Sequence, residues 1–533
     1  MPWFKSFLPR LPRGRYWPLY AIAVGYFLWA VVNFYVPGKG FSSLAYFGGN
    51  PGLHRIREMQ SLDYYVYLDS NGYDGQYYAQ MAVKPLLGSR DLRRAVDNLP
   101  YRARRILFCW TAHLAGLGRP SLILQAYALQ NIAAWLLLGW LLLRWFPPTG
   151  PGNAVRWLGT MFAWGLTMSV RQALMDGPSL LLIAWGVALA EDGRRWSSAC
   201  VLGAAGLGRE TNALAGVMHV PGRDWSRREL RGAAGRLFVA GAPLALWLAY
   251  LWWRFDEPSN VGARNLAAPF EGFFQKWMEA VADYRANGWD SNAKWSLVLM
   301  ASLTVQGAVV LLKPRWSDAW WRIGATYGVL MLCLGEAVWE GFPGAAARVL
   351  VPLTLAFNIV VPRGWRWGLV LVAGNLSMIT AFDQLKAPGR ESFLLEGPPE
   401  VWQAPANHSI EVVFDRGWYQ SERSSFEYWR WSRGSAGMIV HNPQVVPVEV
   451  ELSFDMKAFD DRKVRVYQGK ALRWEGLVGR DRAAVLLRGV RLEPGDNPWR
   501  FEADGPPSYP NGDRLRPVTF NLRNLVIRAV RRI

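Results

Sequence analysis

The segment SLDYYVYLDSNGYDGQYYAQMAVKPLL, residues 61–87, brings together acidic, aromatic and amide side chains. Asp74 lies in a tight Tyr-Asp-Gly-Gln turn, where Gly75 permits a close backbone approach and Gln76 and Tyr73 can hold the hydroxyl groups of a ligand. General-base activation of a hydroxyl group requires at least one carboxylate. We therefore take Asp74 as the candidate base, and an Asp-Gly turn without a chemical role is the alternative.

Arginine side chains follow directly in DNLPYRARRIL, residues 97–107. Arg102, Arg104 and Arg105 stand at the start of a predicted helix, where guanidinium groups suit a phosphate through paired hydrogen bonds. That phosphate is either a lipid head group or the leaving group of a reaction, and contact with bulk lipid is the alternative. The stretch YYAQMAVKPLL between the two motifs predicts an amphipathic helix on a membrane surface.

Ionisable residues inside apolar segments form a further group, because a charge at mid-bilayer depth is costly and is tolerated mainly in a cavity or a functional pair. Arg209 and Glu210 lie in AAGLGRETNALAG, where a helix would turn their side chains about 100° apart. Arg171 precedes an Asp-Gly-Pro break, and Arg348 opens a later helix. We predict that these residues bind a ligand, with a structural ion pair as the alternative for Arg209 and Glu210.

Ligands for a metal ion are sparse. The three cysteines have no spacing typical of a zinc site or a disulfide framework. Glu336 and Glu340 lie one helical turn apart and suit a cation or the hydroxyl groups of a sugar, or are simply water-exposed at a helix end. No cluster of hard oxygen ligands lies near Asp74, so we expect a reaction without metal or cofactor.

The elements that must position these residues are mostly membrane-spanning helices. Of 533 residues, 51% are hydrophobic and 30 are tryptophan, which is typical of a chain with many membrane–water interfaces. The formal charge of +19 would indicate nucleic acid in a soluble protein. Here the basic residues cluster between apolar runs, so we expect membrane lipids and not nucleic acid as partners.

The apolar runs predict about eleven spans, some of them short, in a domain over residues 1–385. With the N-terminus in the cytoplasm, the positive-inside rule places the three most basic loops there too. It places a large first loop, residues 37–104, and everything after about residue 385 on the opposite side. The runs are residues 16–36, 105–119, 121–143, 157–170, 178–190, 196–220, 236–254, 293–313, 322–340, 346–361 and 364–382.

After residue 390 short segments of alternating polarity, such as IEVVF, VEVELSF and KVRVYQ, replace the long apolar runs. This period of two, interrupted by turn sequences such as EPGDNP, predicts an all-β sandwich or jelly roll over residues 390–533. Trp418, Tyr419 and Trp431 are candidates for a platform that stacks on sugar rings, although alternating aromatic residues of a strand more often pack in a core.

The motifs YDGQYYAQMA, DNLPYRARRIL and GRETNAL together resemble the GT-C superfamily of polytopic membrane glycosyltransferases, in particular bacterial members with a YDGQFY loop that are linked to cell-surface glycopolymer formation. The resemblance covers roughly residues 16–385. It implies that Asp74 is the catalytic base, that a polyprenyl-phosphate-linked sugar is the donor, and that a lipid phosphate leaves with inversion at the anomeric carbon. It also implies a bacterial cytoplasmic membrane location and a glycan, lipid-linked or protein acceptor. Many relatives carry two acids in this loop, whereas this motif has one.

Two other functions fit the same features. A lipid-linked glycan transporter or flippase needs a continuous polar path through the helices. A non-catalytic glycan-assembly subunit would hold Asp74 in structural hydrogen bonds away from any cavity. The aromatic first loop and the sparse intramembrane charge favour the enzyme. The sequence has neither a GxxxxGK[ST] loop nor a GxGxxG motif after a strand, so a nucleotide-sugar donor is not expected.

Overall fold

The structure is a computed structural model, and it divides into two compact units. The first comprises residues 1–34, 44–62 and 71–386, and the second comprises residues 35–43, 63–70 and 387–533. Parts of the predicted first loop therefore belong to the second unit. The structure describes residues 14–36, 39–48, 54–60, 62, 64–67, 70–222, 225–255, 262–288, 293–341, 345–387, 392–396, 409–415, 417–419, 422–423, 428–442, 444–509 and 517–533.

The first unit is helical. Its helices are α1 (Trp17–Val32), α2 (Arg57–Gln60), α3 (Asp74–Val83), α4 (Arg90–Ala95), α5 (Leu99–Ala103), α6 (Leu107–Ala115), α7 (Pro120–Leu141), α8 (Pro151–Met161), α9 (Trp164–Arg171), α10 (Asp176–Glu191), α11 (Arg195–Gly208), α12 (Arg227–Phe255), α13 (Glu271–Asn287), α14 (Ala293–Leu312), α15 (Ala319–Cys333), α16 (Glu336–Trp339), α17 (Ala346–Val349), α18 (Val351–Val360), α19 (Gly368–Gly374) and α20 (Ala381–Gln384). Shorter 3-10 helices are Ser42–Ala45, Leu142–Arg144, Glu210–His219, Ala263–Asn265, Trp365–Trp367 and Leu376–Thr380. A two-residue strand, β1 (Phe47–Gly48), precedes α2.

Within the described residues, three helical stretches are long and apolar enough to cross a membrane, namely Pro120–Arg144, Arg227–Phe255 and Ala293–Leu312. The helices α1 and α18 are apolar but shorter. These stretches support a membrane protein, while the predicted count of about eleven spans is not confirmed.

Two of the predicted apolar runs are divided into shorter helices. The run over residues 196–220 ends as α11 at Gly208, Arg209 is extended (φ −159°, ψ 133°), and a 3-10 helix follows. The run over residues 346–361 divides into α17 and α18, with Pro352 in the first turn of α18. Proline lacks the amide hydrogen that an α-helix interior requires.

Because α11 ends at Gly208 and the 3-10 helix begins at Glu210, the prediction that Arg209 and Glu210 share one helix is wrong.

The helix α3 also differs from its prediction. The Tyr-Asp-Gly-Gln sequence is the start of this helix and not a loop turn. Its residues Gln80, Met81 and Ala82 are fully buried, and the helix packs against α6 and α7. The expectation of a surface helix fails because both its apolar and its amide side chains find partners inside the helical unit.

The second unit is a β-sheet structure. Its strands are β2 (Val66–Tyr67), β3 (Ser392–Glu396), β4 (Ser409–Phe414), β5 (Glu422–Arg423), β6 (Tyr428–Trp431), β7 (Ala436–Asn442), β8 (Val448–Ala458), β9 (Arg462–Gln468), β10 (Ala471–Val478), β11 (Ala483–Leu492), β12 (Gly495–Ala503) and β13 (Phe520–Arg532). The strand order is β10-β9-β12-β7-β4-β3-β13-β6-β5, and β8 joins β13 to β11. The pairs are antiparallel except for the parallel pair of β13 with β3.

The core of this sheet follows from the period of two. Along β8 every second side chain from Val448 to Ala458 is buried, and the residues between them are more exposed. The buried set joins residues from β4, β7, β9, β11, β12 and β13 in one hydrophobic core. The predicted β-rich C-terminal part is thus confirmed at the level of its secondary structure.

Candidate active site

A cavity of about 1120 Å³ lies within the helical unit. Chain segments that are far apart in the sequence supply its charged side chains. Its lining residues are Tyr73, Asp74, Pro100, Tyr101, Arg102, Arg104, Arg105, Arg209, Glu210, Thr211, Leu248, Leu251, Trp252, Gly262, Asn265, Leu266, Leu330, Leu334, Ala337, Val338, Glu340, Ala345, Arg348 and Val349. The cavity therefore collects most of the site residues predicted from the sequence.

The start of α3 brings Asp74 to this cavity. Tyr73 is extended, and Asp74 is the first residue of the helix, where a negative charge suits the helix dipole. A Cβ atom at Gly75 would lie 2.2 Å from the carbonyl oxygen of Gln172 and 2.9 Å from that of Ala45. Only glycine allows this approach, so the predicted role of Gly75 in close backbone packing is confirmed.

Two arginines hold the carboxylate of Asp74. Arg102 Nη1 lies 2.9 Å from Oδ1, and Arg348 Nη1 lies 3.6 Å from Oδ2. Burial by itself would raise the pKa of Asp74, but the charges of Arg102, Arg348 and Arg105 outweigh burial and hold this pKa below its ordinary value of 3.8. The group is therefore an anion at neutral pH.

Arg102 bridges two acids. Its Nε and Nη2 donate to the two carboxylate oxygens of Asp97, at 3.0 Å and 2.7 Å, while Nη1 faces Asp74. The ring of Tyr77 lies 5.2 Å from its guanidinium carbon. Burial lowers the pKa of Arg102, and the nearby Asp74 and Asp97 charges more than reverse that effect. Arg102 is thus a fixed cation whose position Asp97 determines from outside the cavity lining.

Arg105 connects the first loop with the break after α11. Its Nε lies 2.9 Å from Glu210 Oε2, and its other nitrogens donate to the hydroxyl groups of Tyr78, at 3.1 Å, and Tyr101, at 3.2 Å. Asn265 Nδ2 also donates to the Tyr101 hydroxyl, at 3.2 Å. Burial would raise the pKa of Tyr101, but Arg105 and this hydrogen bond lower it below its ordinary value of 10.0.

Arg348 joins Asp74 to a second aspartate. Its Nη2 donates to the Tyr73 hydroxyl at 3.0 Å, and its Nη1 lies 3.6 Å from Asp176 Oδ2. The other oxygen of Asp176 pairs with Arg209. The Asp176 side chain is only 1% exposed, and both arginines pair with it.

The cavity lining contains more arginines than acids. Five arginines (Arg102, Arg104, Arg105, Arg209 and Arg348) line it together with three carboxylates (Asp74, Glu210 and Glu340), and Asp97 and Asp176 pair with Arg102, Arg209 and Arg348 from outside the lining. Arg104 has no carboxylate partner among the described residues, and its guanidinium group lies 5.4 Å from the ring of Tyr101. The cavity therefore has a cation available for an anionic ligand.

One part of the cavity lining, here called the apolar wall, consists of apolar side chains. Leu248, Leu251 and Trp252 come from α12, which is long and apolar enough to span a membrane, and Leu330 comes from α15. Trp252 is 71% exposed. A ligand with an anionic head and a hydrocarbon tail would match both halves of this cavity.

Two predicted site residues lie outside the lining. Gln76 is fully buried, where its Nε2 donates to the carbonyl oxygen of Asn71 at 2.8 Å and its Oε1 accepts from the amide of Gly48 at 3.2 Å. Arg171 Nη1 donates to the carbonyl oxygens of Gln384 and Lys386, each at 3.1 Å. Both side chains bind backbone and stabilise the surroundings of the cavity, so neither is placed to contact a ligand in it.

The aromatic residues proposed for glycan binding in the second unit have different environments. Trp418 is 2% exposed and packs edge-on against Phe414, Phe501 and Phe520, so it belongs to the core. It cannot form an exposed platform, and that prediction is wrong. Tyr419 donates to the carbonyl oxygen of Pro517 at 3.0 Å, and Trp431 stacks on Phe459 with ring centroids 4.9 Å apart. Both are partly exposed.

The site also contains residues that were not predicted as ligand contacts. These are Asp176, Tyr101 and Asn265, whereas Glu340 was considered together with Glu336 for a cation or the hydroxyl groups of a sugar. Tyr101 lies only four residues before Arg105, but Asn265 lies 164 residues from Tyr101 and Asp176 lies 172 residues from Arg348, so only packing brings these pairs together. Among the described residues, no group of three His, Cys, Asp or Glu could hold a metal ion.

Comparison with known proteins gives little further guidance. No protein-family model matches the chain, and no curated protein matches it. Among solved structures, the crystal structure of ArnT from Cupriavidus metallidurans in the apo state is similar over 72% of this chain and 84% of that chain, with 14% sequence identity and a TM-score of 0.27. The function has to be argued from the cavity.

Proposed function

We propose that the chain is an integral membrane glycosyltransferase of the GT-C type, which transfers a sugar from a polyprenyl-phosphate-linked donor to a cell-surface glycan, a lipid-linked acceptor or a protein. It would act in the cytoplasmic membrane of a bacterium, with the N-terminus in the cytoplasm and the C-terminal unit on the opposite side. No metal or cofactor takes part in the proposed reaction.

One observation carries this proposal: a single cavity combines a carboxylate, a surplus of arginine and an apolar wall. Arg104 is the cation without a carboxylate partner among the described residues, so it is the first candidate to bind the donor phosphate. The apolar side chains of α12 and α15 suit the adjoining hydrocarbon chain. A soluble sugar phosphate would leave that wall unused.

Asp74 supplies the base. In the proposed step the acceptor hydroxyl gives its proton to the Asp74 carboxylate while its oxygen forms a bond to the anomeric carbon. The bond from that carbon to the phosphate oxygen breaks, and the electron pair leaves with the lipid phosphate. Arg102 and Arg348 already flank Asp74, so they can stabilise the charge that develops on the phosphate. Attack from the face opposite the phosphate inverts the configuration.

The alternative functions differ in what they require of Asp74. A non-catalytic assembly subunit would keep this residue away from any cavity, yet Asp74 lines one. A flippase would need charges along a continuous path, whereas five arginines of the helical unit line one cavity. Both features favour the enzyme.

The deciding experiment uses the full chain reconstituted in proteoliposomes with polyprenyl-phosphate donors that carry a labelled sugar. A glycosyltransferase cleaves the donor and releases unglycosylated polyprenyl phosphate. A flippase moves the donor across the bilayer and leaves it intact. Translocation without cleavage, across a panel of donor sugars, would refute the proposal.

A further inference from the structure

The cavity contains a carboxylate that the proposed reaction has not used. Glu340 lines it, and its side chain is exposed and forms no ion pair or hydrogen bond with the described residues, although its charge acts on the exposed Arg264. The other two acids of the lining are both compensated, Asp74 by Arg102 and Arg348 and Glu210 by Arg105. Glu340 is thus the acid in the lining that is open to a new partner.

The surroundings of Glu340 are polar and face water. It follows α16, whose first residue, Glu336, pairs with Arg264 at 2.8 Å. The side chains of Arg264 and Glu336 are 72% and 58% exposed. This polar rim differs from both the arginine cluster and the apolar wall of the cavity.

The arginine cluster, the apolar wall and the polar rim suit three different parts of the donor and the acceptor. The arginines match the donor phosphate, and the apolar wall matches the donor's hydrocarbon chain. An acceptor rich in hydroxyl groups needs hydrogen-bond acceptors and access from water, and the polar rim offers both. We propose that Glu340 binds the acceptor sugar by accepting hydrogen bonds from its hydroxyl groups, which rests on the glycosyltransferase function proposed above.

A carboxylate is well suited to this role because it accepts hydrogen bonds at both oxygens and donates none. Glutamine at the same position keeps the shape but loses the charge that strengthens those bonds. We therefore expect Glu340→Gln to raise the KM for the acceptor about tenfold to hundredfold. Because the proposed contact is to the acceptor alone, donor cleavage by water should stay within about twofold of wild type.

The test compares wild type, Glu340→Gln, Glu340→Asp and the control Glu493→Gln in proteoliposomes. Glu493 is an exposed glutamate of the second unit and is not part of the cavity lining. Donor hydrolysis is measured without an acceptor, and transfer is measured to a panel of octyl glycosides. The proposal expects a raised acceptor KM in Glu340→Gln, partial recovery in Glu340→Asp, and wild-type values in Glu493→Gln. Melting curves check that the variants are folded. We expect them to fold, because the exposed Glu340 side chain forms no ion pair or hydrogen bond with the described residues.

Each contrary result has a separate meaning. An unchanged acceptor KM in Glu340→Gln, with an active wild type, refutes the role of Glu340 alone. A parallel loss of hydrolysis refutes it too, because the residue would then act on the donor. Hydrolysis by wild type without any glycoside product excludes a sugar acceptor at this rim. No cleavage of any donor by wild type overturns the proposed function, and this role with it.

Discussion

The replacement Asp74→Asn removes the charge at the centre of the cavity while it keeps the size of the side chain. The asparagine oxygen can still accept a hydrogen bond from Arg102. Arg102 also retains both oxygens of Asp97, and Arg348 retains Asp176. No arginine of the pair is left without a carboxylate, so the protein should fold.

The expected magnitudes for stability and activity differ greatly. Removing one partner of a buried ion pair costs about 3–5 kcal/mol when the other charge is stranded. Here both arginines keep a second partner, so we expect a loss of about 1–3 kcal/mol, typical of a hydrogen bond to a charged group. Loss of a general base lowers turnover about 10²- to 10⁴-fold. A folded variant with that loss cannot owe it to stability.

Asp97→Asn is the matched control, because it also removes a carboxylate partner of Arg102 but changes no residue of the cavity lining. Release of polyprenyl phosphate and thermal unfolding are measured for wild type and both variants. We expect Asp97→Asn to keep turnover within about tenfold. Turnover of Asp74→Asn at the level of Asp97→Asn would refute Asp74 as the base and leave it a structural partner of the two arginines.

Other predictions follow from the same geometry. Arg104→Ala should weaken binding of polyprenyl phosphate about tenfold or more, and Arg104→Lys should restore part of it, as measured by titration in detergent; equal affinity in all three proteins would contradict a phosphate contact. Because the pKa of Asp74 is held below its ordinary value, the base stays charged between pH 7 and pH 5, so kcat/KM should show no loss from Asp74 in this range. The contribution of Asp74 to stability should disappear only as the pH falls through its folded-state pKa. An acid limb near neutral pH that Asp74→Asn abolishes would disprove this. Gln76→Ala should lower the free energy of unfolding by about 1–3 kcal/mol through the lost Gly48 and Asn71 bonds, with no change in KM for donor. Trp418→Ala should cost about 3–5 kcal/mol, seen as early melting of the β-sheet signal of the full chain, and an unchanged melting curve would place this ring outside the core.

Much of the site could be predicted from the sequence, because charged side chains cost free energy in apolar surroundings and therefore mark functional positions. Asp74, Arg105, Arg209, Glu210 and Arg348 stand out as charges near or within apolar segments, and all five line the cavity. The sequence also indicated a close backbone approach at Gly75. In the structure the carbonyl oxygens of Gln172 and Ala45 leave no space there for a Cβ atom. Alternating polarity likewise predicted the β-rich C-terminal part.

The ion-pair and hydrogen-bond partners of these residues depend on the tertiary structure. Adjacency in the chain suggested a relation between Arg209 and Glu210, but an extended residue after α11 sends Arg209 to Asp176 and Glu210 to Arg105. Gln76 had the chemistry of a ligand contact, yet it satisfies backbone groups of the first loop.

Hydrophobic period and the cost of buried charge are local properties, so the sequence indicated most charged residues of the site and the division into a helical part and a β-rich part. The tertiary structure alone decided which charges are compensated. Asp74 and Glu340 both line the cavity, but packing gives two arginine partners to Asp74 and no ion-pair partner within the described residues to Glu340. That difference depends on helices that are distant in the chain, and it is the physical basis of the separate roles proposed for the two carboxylates.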